Sequence, residues 1–299
     1  MGFTQRMATA PISWGICELP GWGKQLPVER VLSEMAQLGF SATELGSPGY
    51  FPSEPAELNA VLAAHNLDLL AAFVPVLVHD PAQADETLRR CEEAAALLVA
   101  TGATYFNSSP VTTWDWMPRH ELGSHEWDHA MDMFARIEEI TSSHGLVQVL
   151  HEHVGTIVET KDEIQRVVDH SDVRFVLDTA HFAIGGYDPM DFVDNHADRV
   201  GLVHIKDCNL ARAQQLNDGE LSLMQAVQSG IFPPVGQGDI DLDRVITTLE
   251  TGGYRGWYVL EQDAAITGNE PAAGEGPIED VKTSVDYLKA LEDRITAMV

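Results

Sequence analysis

At 299 residues, 44% of them hydrophobic, the chain is long enough to bury a large core, either as two average domains or as one α/β barrel. Its 46 acidic residues against 18 basic ones give a formal charge of −28, which argues against nucleic acid and anionic membrane surfaces as partners, since both are held by basic side chains. Three scattered cysteines make no disulfide framework, no apolar run approaches the ~18 residues of a membrane span, and the first residues lack a signal peptide's apolar region, so a soluble cytoplasmic protein is expected.

The predicted elements alternate along the chain. A strand over residues 8–13 precedes a helix over 28–38 stopped by Gly39; strand 42–45 precedes helix 55–65, stopped at Asn66; strand 69–75 precedes helix 85–100, ending near Gly102. Strand 105–107 leads to helix 127–144, with Gly145 beyond it, and strand 146–151 to helix 161–170. Strand 174–178 leads to helix 188–195, strand 200–205 to helix 242–251, and strand 257–261 to a last helix over 278–298. Eight strands, each followed by something helical, are the inventory of a single (β/α)8 TIM barrel domain spanning residues 1–299. Three connections, 109–126, 209–241 and 262–276, are longer than a barrel needs. All follow a strand, which puts them on the C-terminal face, where barrel enzymes build their sites.

Four strands of the second half stop on metal-ligand types. Phe175-Val176-Leu177 ends at Asp178, Val200-Gly201-Leu202-Val203 at His204, Trp257-Tyr258-Val259-Leu260 at Glu261, and Val147-Gln148-Val149-Leu150 at His151-Glu152-His153. A divalent ion of borderline softness takes carboxylate oxygen and imidazole nitrogen together, and barrel strands deliver their last side chains to one mouth. Within the triplet, alternation puts His151 and His153 on one face and Glu152 on the other. His151 is the preferred fourth ligand, because two imidazoles facing the helical layer are harder to satisfy than one carboxylate; Glu152 is the alternative. Any one of these residues alone reads as a strand-end cap, and their succession on four strands singles them out. Gly236-Gln237-Gly238 lacks the third glycine of a nucleotide loop, and His151-Glu152-His153 lacks the i, i+4 helical spacing of a metalloprotease. Cys17 has no His partner in sequence and reads as a packed thiol.

Leu177-Asp178-Thr179-Ala180-His181, His204-Ile205-Lys206-Asp207, Gly236-Gln237-Gly238-Asp239-Ile240-Asp241 and Leu260-Glu261-Gln262-Asp263 resemble the xylose-isomerase-like barrel superfamily of sugar isomerases, epimerases and endonuclease-like enzymes. Ala10-Pro11-Ile12-Ser13-Trp14-Gly15, the run from Thr43-Glu44-Leu45-Gly46 to Pro52, and His151-Glu152-His153-Val154-Gly155-Thr156 narrow the likeness to proteins similar to myo-inosose-2 dehydratase. The resemblance implies one divalent metal ion, manganese or cobalt foremost with zinc or magnesium as alternatives. It would be held on strands five to eight by a Glu, Asp, His, Glu quartet; Asp178, His204 and Glu261 match, and His151 stands where a glutamate is usual. The implied activity is a lyase of inositol catabolism that dehydrates a keto-cyclitol of the 2-keto-myo-inositol type through a metal-stabilised enolate. The alternatives are a ketose isomerase or epimerase using the same enediolate, or a keto-glycoside eliminase. Endonuclease activity is disfavoured by the charge. The partner is then a small polyhydroxylated keto substrate, and a homo-oligomer is compatible with the sequence.

In this superfamily the histidine matching His181 faces the substrate, which makes His181 the expected proton shuttle and His153 the second candidate. Glu44, at the end of strand two, is placed to bind hydroxyls or to steer a metal-bound histidine. Lys206 is placed for an anionic intermediate or a carboxylate such as Glu261, Trp14 for stacking on the substrate ring, and Asn107 and Ser109 for donation to hydroxyls.

Overall fold

The computed structural model describes residues 2–297. Runs rich in Val, Ile and Leu form strands buried on both faces, as a parallel sheet covered by helices requires. They are β1 (Met7–Thr9), β2 (Ala42–Leu45), β3 (Asp68–Val76), β4 (Tyr105–Pro110), β5 (Val147–His151), β6 (Arg174–Asp178), β7 (Val200–Ile205) and β8 (Tyr258–Leu260). The strands pair in sequence order, and β8 returns to β1, closing the (β/α)8 barrel that the alternation predicts. Around it run α1 (Val28–Leu38), α2 (Pro55–Ala63), α3 (Ala84–Ala100), α4 (Ser124–Ser143), α5 (Lys161–His170), α6 (Thr179–Ile184), α7 (Pro189–His196), α8 (Leu210–Asn217), α9 (Leu223–Gln228), α10 (Leu242–Thr251) and α11 (Pro277–Thr296). No described helix is long and apolar enough to cross a membrane.

Alternate residues of each strand face the barrel axis. Ala8, Ala42, Tyr105, Val149, Val176, Leu202 and Val259 form an inner plug. Their neighbours Phe106, Leu150, Phe175, Leu177, Val203 and Leu260 belong to the larger core against the helix faces of Leu32, Met35, Phe134, Val167 and Leu288. One pleat beyond a plug residue the next inward position follows. That step leads from Val149 to His151, from Val176 to Asp178, from Leu202 to His204 and from Val259 to Glu261, so a layer of ligand-type side chains caps an apolar plug.

Several departures from the expected elements bear on this layer. β1 stops at Thr9 rather than residue 13, because Pro11 has no N–H for the ladder, and Pro11–Trp14 forms a 3-10 turn. After β6 the chain enters the six-residue helix α6, too short to leave a periodic signal. The 209–241 connection is no open loop, since α8 and α9 fold within it. Residues 111–123 and 261–276 carry no helix or strand, and Glu261 falls just past β8. Helix α4 begins at Ser124 rather than 127, and α11 ends at Thr296; Met298, the expected end of that helix, lies outside the described residues.

The connection after β7 is pinned by Asp207. Its Oδ2 accepts from the Gly236 and Gly238 N–H groups at 2.9 Å each, and its Oδ1 from Cys208 at 2.9 Å and Ile240 at 3.3 Å. A Cβ on residue 238 would lie 2.2 Å from Asp207 Oδ1, so this close approach requires glycine. The Gly236-Gln237-Gly238 run therefore wraps a carboxylate of its own chain. Asp207→Ala leaves four N–H groups without an acceptor and is expected to cost about 3 kcal/mol, read as a lowered urea midpoint. An unshifted midpoint contradicts the anchoring role.

Candidate metal centre

Asp178 serves two elements at once, as the last residue of β6 and the N-cap of α6. Its Oδ1 accepts from the Ala180 and His181 N–H groups at 3.0 Å each, satisfying donors that a helix start leaves free. Its Oδ2 has no hydrogen-bond partner and faces the barrel centre, 3.3 Å from Lys206 Nζ, 3.6 Å from His151 Nε2, 3.8 Å from His204 Nδ1 and 3.9 Å from His181 Nε2. His204 stands opposite Asp178 in the ladder. Its Nε2 is 3.0 Å from Glu44 Oε1, which turns Nδ1 to the centre, 2.5 Å from Glu261 Oε2. Both atoms lie within 4.8 Å of an Asp178 carboxylate oxygen.

Burial opposes charge throughout this layer; it prevails at His151, and at Asp178, His204 and Glu261 the neighbours overrule it. Against burial, Lys206 above all holds the Asp178 carboxyl well below the usual carboxylate range. Glu261, likewise buried, is drawn down to about 2 by Lys206 and His204. His204 is buried too but is lifted to about 10 by Glu44 and Glu261. Both ring nitrogens of His151, Asp178 Oδ2, His204 Nδ1 and Glu261 Oε2 are buried without a partner, an uncommon concentration for a protein interior. His151, Asp178 and His181 bring ligand atoms within 4.8 Å of one another, and so do Asp178, His204 and Glu261. Two imidazoles and two carboxylates, with their free atoms aimed inward, fit a divalent transition ion.

The triplet straddles the end of β5. His151 follows Val149 into the barrel, whereas Glu152 belongs to neither donor group. Glu152 is fully buried with both oxygens unpartnered; burial, and then the charge of Asp178, raise its pKa well above the usual carboxylate range. His153 Nδ1 donates to Val154 O at 2.8 Å, leaving an Nε2 lone pair, and burial followed by His151 and Lys206 lowers its pKa to about 3, which keeps the ring neutral. Its ring lies 3.9 Å from that of His181, whose Nε2 accepts from Lys206 Nζ at 3.3 Å. The cavity over this centre, about 280 Å³, is lined by His151, His153, His204, Glu44, Glu261 and Asp263 but not by His181. Of the two expected proton shuttles, His153 lines the cavity and His181 does not. A wider cleft of about 600 Å³ opens near Arg174 and His170, at the N-terminal ends of β5 and β6 and away from these ligands.

A family model described as xylose isomerase-like TIM barrel matches residues 32–291. The chain belongs to this family. It is 32% identical to an inosose dehydratase of Geobacillus kaustophilus (strain HTA426), over 98% of this chain and 96% of that protein. Among solved structures, the IolI protein with a zinc atom shares the fold at a TM-score of 0.70 with 15% identity, covering 97% of this chain and 99% of IolI. An L-ribulose 3-epimerase does so at 0.70 with 15% identity, covering 98% and 96%. As a xylose isomerase-like barrel with such relatives, the chain is an enzyme.

Other residues of this xylose isomerase-like barrel fall less uniformly. Trp14 is fully buried, its indole N–H donating to Glu34 at 2.8 Å, and it lines no part of the cavity. The 3-10 turn started by Pro11 takes it out of the extended register that stacking on a substrate assumes. Phe73 and Trp116 line the cavity instead, their rings stacked at 6.1 Å. Asn107 and Ser109 are buried, and neither the Asn107 amide nor the Ser109 hydroxyl has a partner. Lys206 is enclosed among carboxylates, Asp263 nearest at 2.9 Å. Asp263, two residues beyond Glu261, is buried at the mouth and is not among the ligand candidates the sequence singles out. Cys17 lines the cavity, but burial pushes its thiol up to about 12, which makes it no nucleophile. Since Glu44 orients His204, Glu44→Ala is expected to weaken metal binding by about 10- to 100-fold, while Glu44→Gln, which still offers an acceptor oxygen, loses less. Chelator competition reads both, and wild-type affinity in Glu44→Ala contradicts the role.

Proposed function

We propose that this chain is a metal-dependent lyase that dehydrates a keto-cyclitol of the 2-keto-myo-inositol type. The observation that carries the reading is the approach of His151, His204 and Glu261 to the buried Asp178 carboxylate, beside a cavity that the neutral His153 lines. The substrate class is supported by the likeness to inosose dehydratases over nearly the whole chain.

Dehydration removes a proton from the carbon beside a ketone and expels the hydroxyl of the next carbon. The C–H pair becomes an enolate, a C=C bond forms as the C–O bond breaks, and one water departs. His151, Asp178, His204 and Glu261 would hold the divalent ion, with manganese or cobalt foremost, and the bound ion supplies Lewis-acid stabilisation of the developing oxyanion. His153 Nε2 takes the carbon proton and returns it to the leaving hydroxide, a general base and then a general acid. His181 fixes the tilt of that ring and is itself fixed by Lys206. Phe73 and Trp116 offer apolar surface to the C–H faces of the substrate ring.

Protein loaded with manganese or cobalt is expected to convert 2-keto-myo-inositol to an unsaturated ketone one water lighter, followed by mass spectrometry and near-ultraviolet absorbance. Unchanged 2-keto-myo-inositol, with interconversion of simple ketoses by the same protein, would assign the isomerase or epimerase reading instead.

A further inference from the structure

We propose that the Lys206 ammonium is a built-in second cation of this centre, and that it limits the site to one divalent ion. The inference rests on the metal reading above. Two donor groups in the barrel mouth share Asp178: one with His204 and Glu261, the other with His151 and His181. Lys206 occupies the side of the second. Its Nζ lies 2.9 Å from Asp263 Oδ1, 3.3 Å from Asp178 Oδ2, 3.3 Å from His181 Nε2 and 3.5 Å from Glu261 Oε2. The Phe232 ring closes another side at 5.1 Å. Three carboxylates and an imidazole thus surround one nitrogen, the oxygen and nitrogen surroundings that a divalent ion would seek. The separations are those of an ammonium; metal–ligand bonds would be roughly 2.0–2.2 Å.

The chain delivers this cation by the same parity that delivers the ligands. Lys206 lies one pleat beyond His204, and Asp263 one pleat beyond Glu261, so the two form a second inward layer above the first. Lysine offers three donors and no acceptor, so every polar group it meets here is an acceptor. The side chain is 1% exposed, a burial that lysine tolerates only when paired. Formal charge points the same way. Glu44, Asp178, Glu261 and Asp263 bring four negative charges to the mouth; one divalent ion and one ammonium leave a single negative charge uncompensated. A second divalent ion beside Asp178 and His181 would sit within a few ångströms of the ammonium and be repelled by it. Removing the ammonium while leaving Asp178, Asp263, Glu261 and His181 in place frees a metal-sized space with its ligands already aimed.

The test reads metal stoichiometry rather than turnover. Wild type, Lys206→Ala and Lys206→Arg are equilibrated with excess manganese, desalted, and assayed by elemental analysis and by electron paramagnetic resonance, with circular dichroism to verify folding. Wild type and Lys206→Arg are expected to hold one ion per chain with an isolated manganese signal. Lys206→Ala is expected to hold two, with an exchange-coupled signal. A folded Lys206→Ala that holds one ion overturns the inference and leaves the metal reading intact. Wild type holding no ion overturns both. Should Lys206→Ala not fold, wild type titrated to millimolar manganese decides alone: a coupled pair overturns the inference, and an isolated ion supports it.

Discussion

Asp178→Asn and His204→Ala are each expected to leave a folded barrel that retains no stoichiometric divalent metal. Turnover should fall by about three orders of magnitude or more, since Lewis-acid stabilisation of an oxyanion is worth several kcal/mol. The choice of asparagine at 178 matters. Oδ1 caps α6 through two backbone N–H groups, while Oδ2 faces the centre with no hydrogen-bond partner. Asparagine keeps an oxygen for the cap but loses the negative charge offered to the metal. Alanine would remove the cap as well, at a further cost of about 1 kcal/mol, and would mix a folding defect with a binding one. His204 is held from both sides, by Glu44 on Nε2 and Glu261 near Nδ1, so its loss leaves two carboxylates facing each other across the mouth. Stoichiometric metal retained in both variants, measured on desalted protein, would defeat the assignment.

His153→Gln is expected to give a folded, metal-loaded protein with turnover lowered by roughly 10²- to 10⁴-fold, the usual worth of a positioned general base. The ring lines the cavity, is neutral, and carries its proton on Nδ1 because Val154 O can only accept. Nε2 is therefore the atom free to take a proton. His181→Asn removes the ring that tilts against His153 and that receives the Lys206 N–H. It is expected to slow turnover less, because His181 Nε2 is already engaged. A larger loss from His181→Asn than from His153→Gln, with metal content equal in both, would return the proton-transfer role to His181.

Much of this site was legible because a buried parallel strand has few reasons to end on a carboxylate or an imidazole. Asp178, His204 and Glu261 announce themselves as the first polar residues after apolar runs. Strand five was ambiguous for the opposite reason, since His151-Glu152-His153 offers three ligand types in a row. Val149 in the inner plug puts His151 on the barrel face, and the sequence alone does not show which face of the strand is the inner one. Trp14 was misplaced because an extended strand through residue 13 ignores Pro11, which ends the ladder. The resemblance makes His181 the leading shuttle; the six-residue helix capped by Asp178 leaves it outside the lining of the cavity, against the ring of His153. Asp263 could have been found by one more step of the alternation that gave Glu261. Trp116 lies in an irregular loop and could not, because loop backbone follows no period that sequence reveals. The anchoring role of Asp207 was hidden for the same reason: its partners, Gly236, Gly238 and Ile240, lie some thirty residues away.

The most direct test of the central claim is a crystal structure of the protein grown with manganese or cobalt, with anomalous differences collected at the absorption edge of the metal. One peak is predicted, within bonding distance of His151, Asp178, His204 and Glu261, with Glu44 behind His204 and the Lys206 ammonium beside Asp178 and Glu261. A peak held by Glu152 in place of His151, or a metal seated anywhere outside the barrel mouth, would contradict the account.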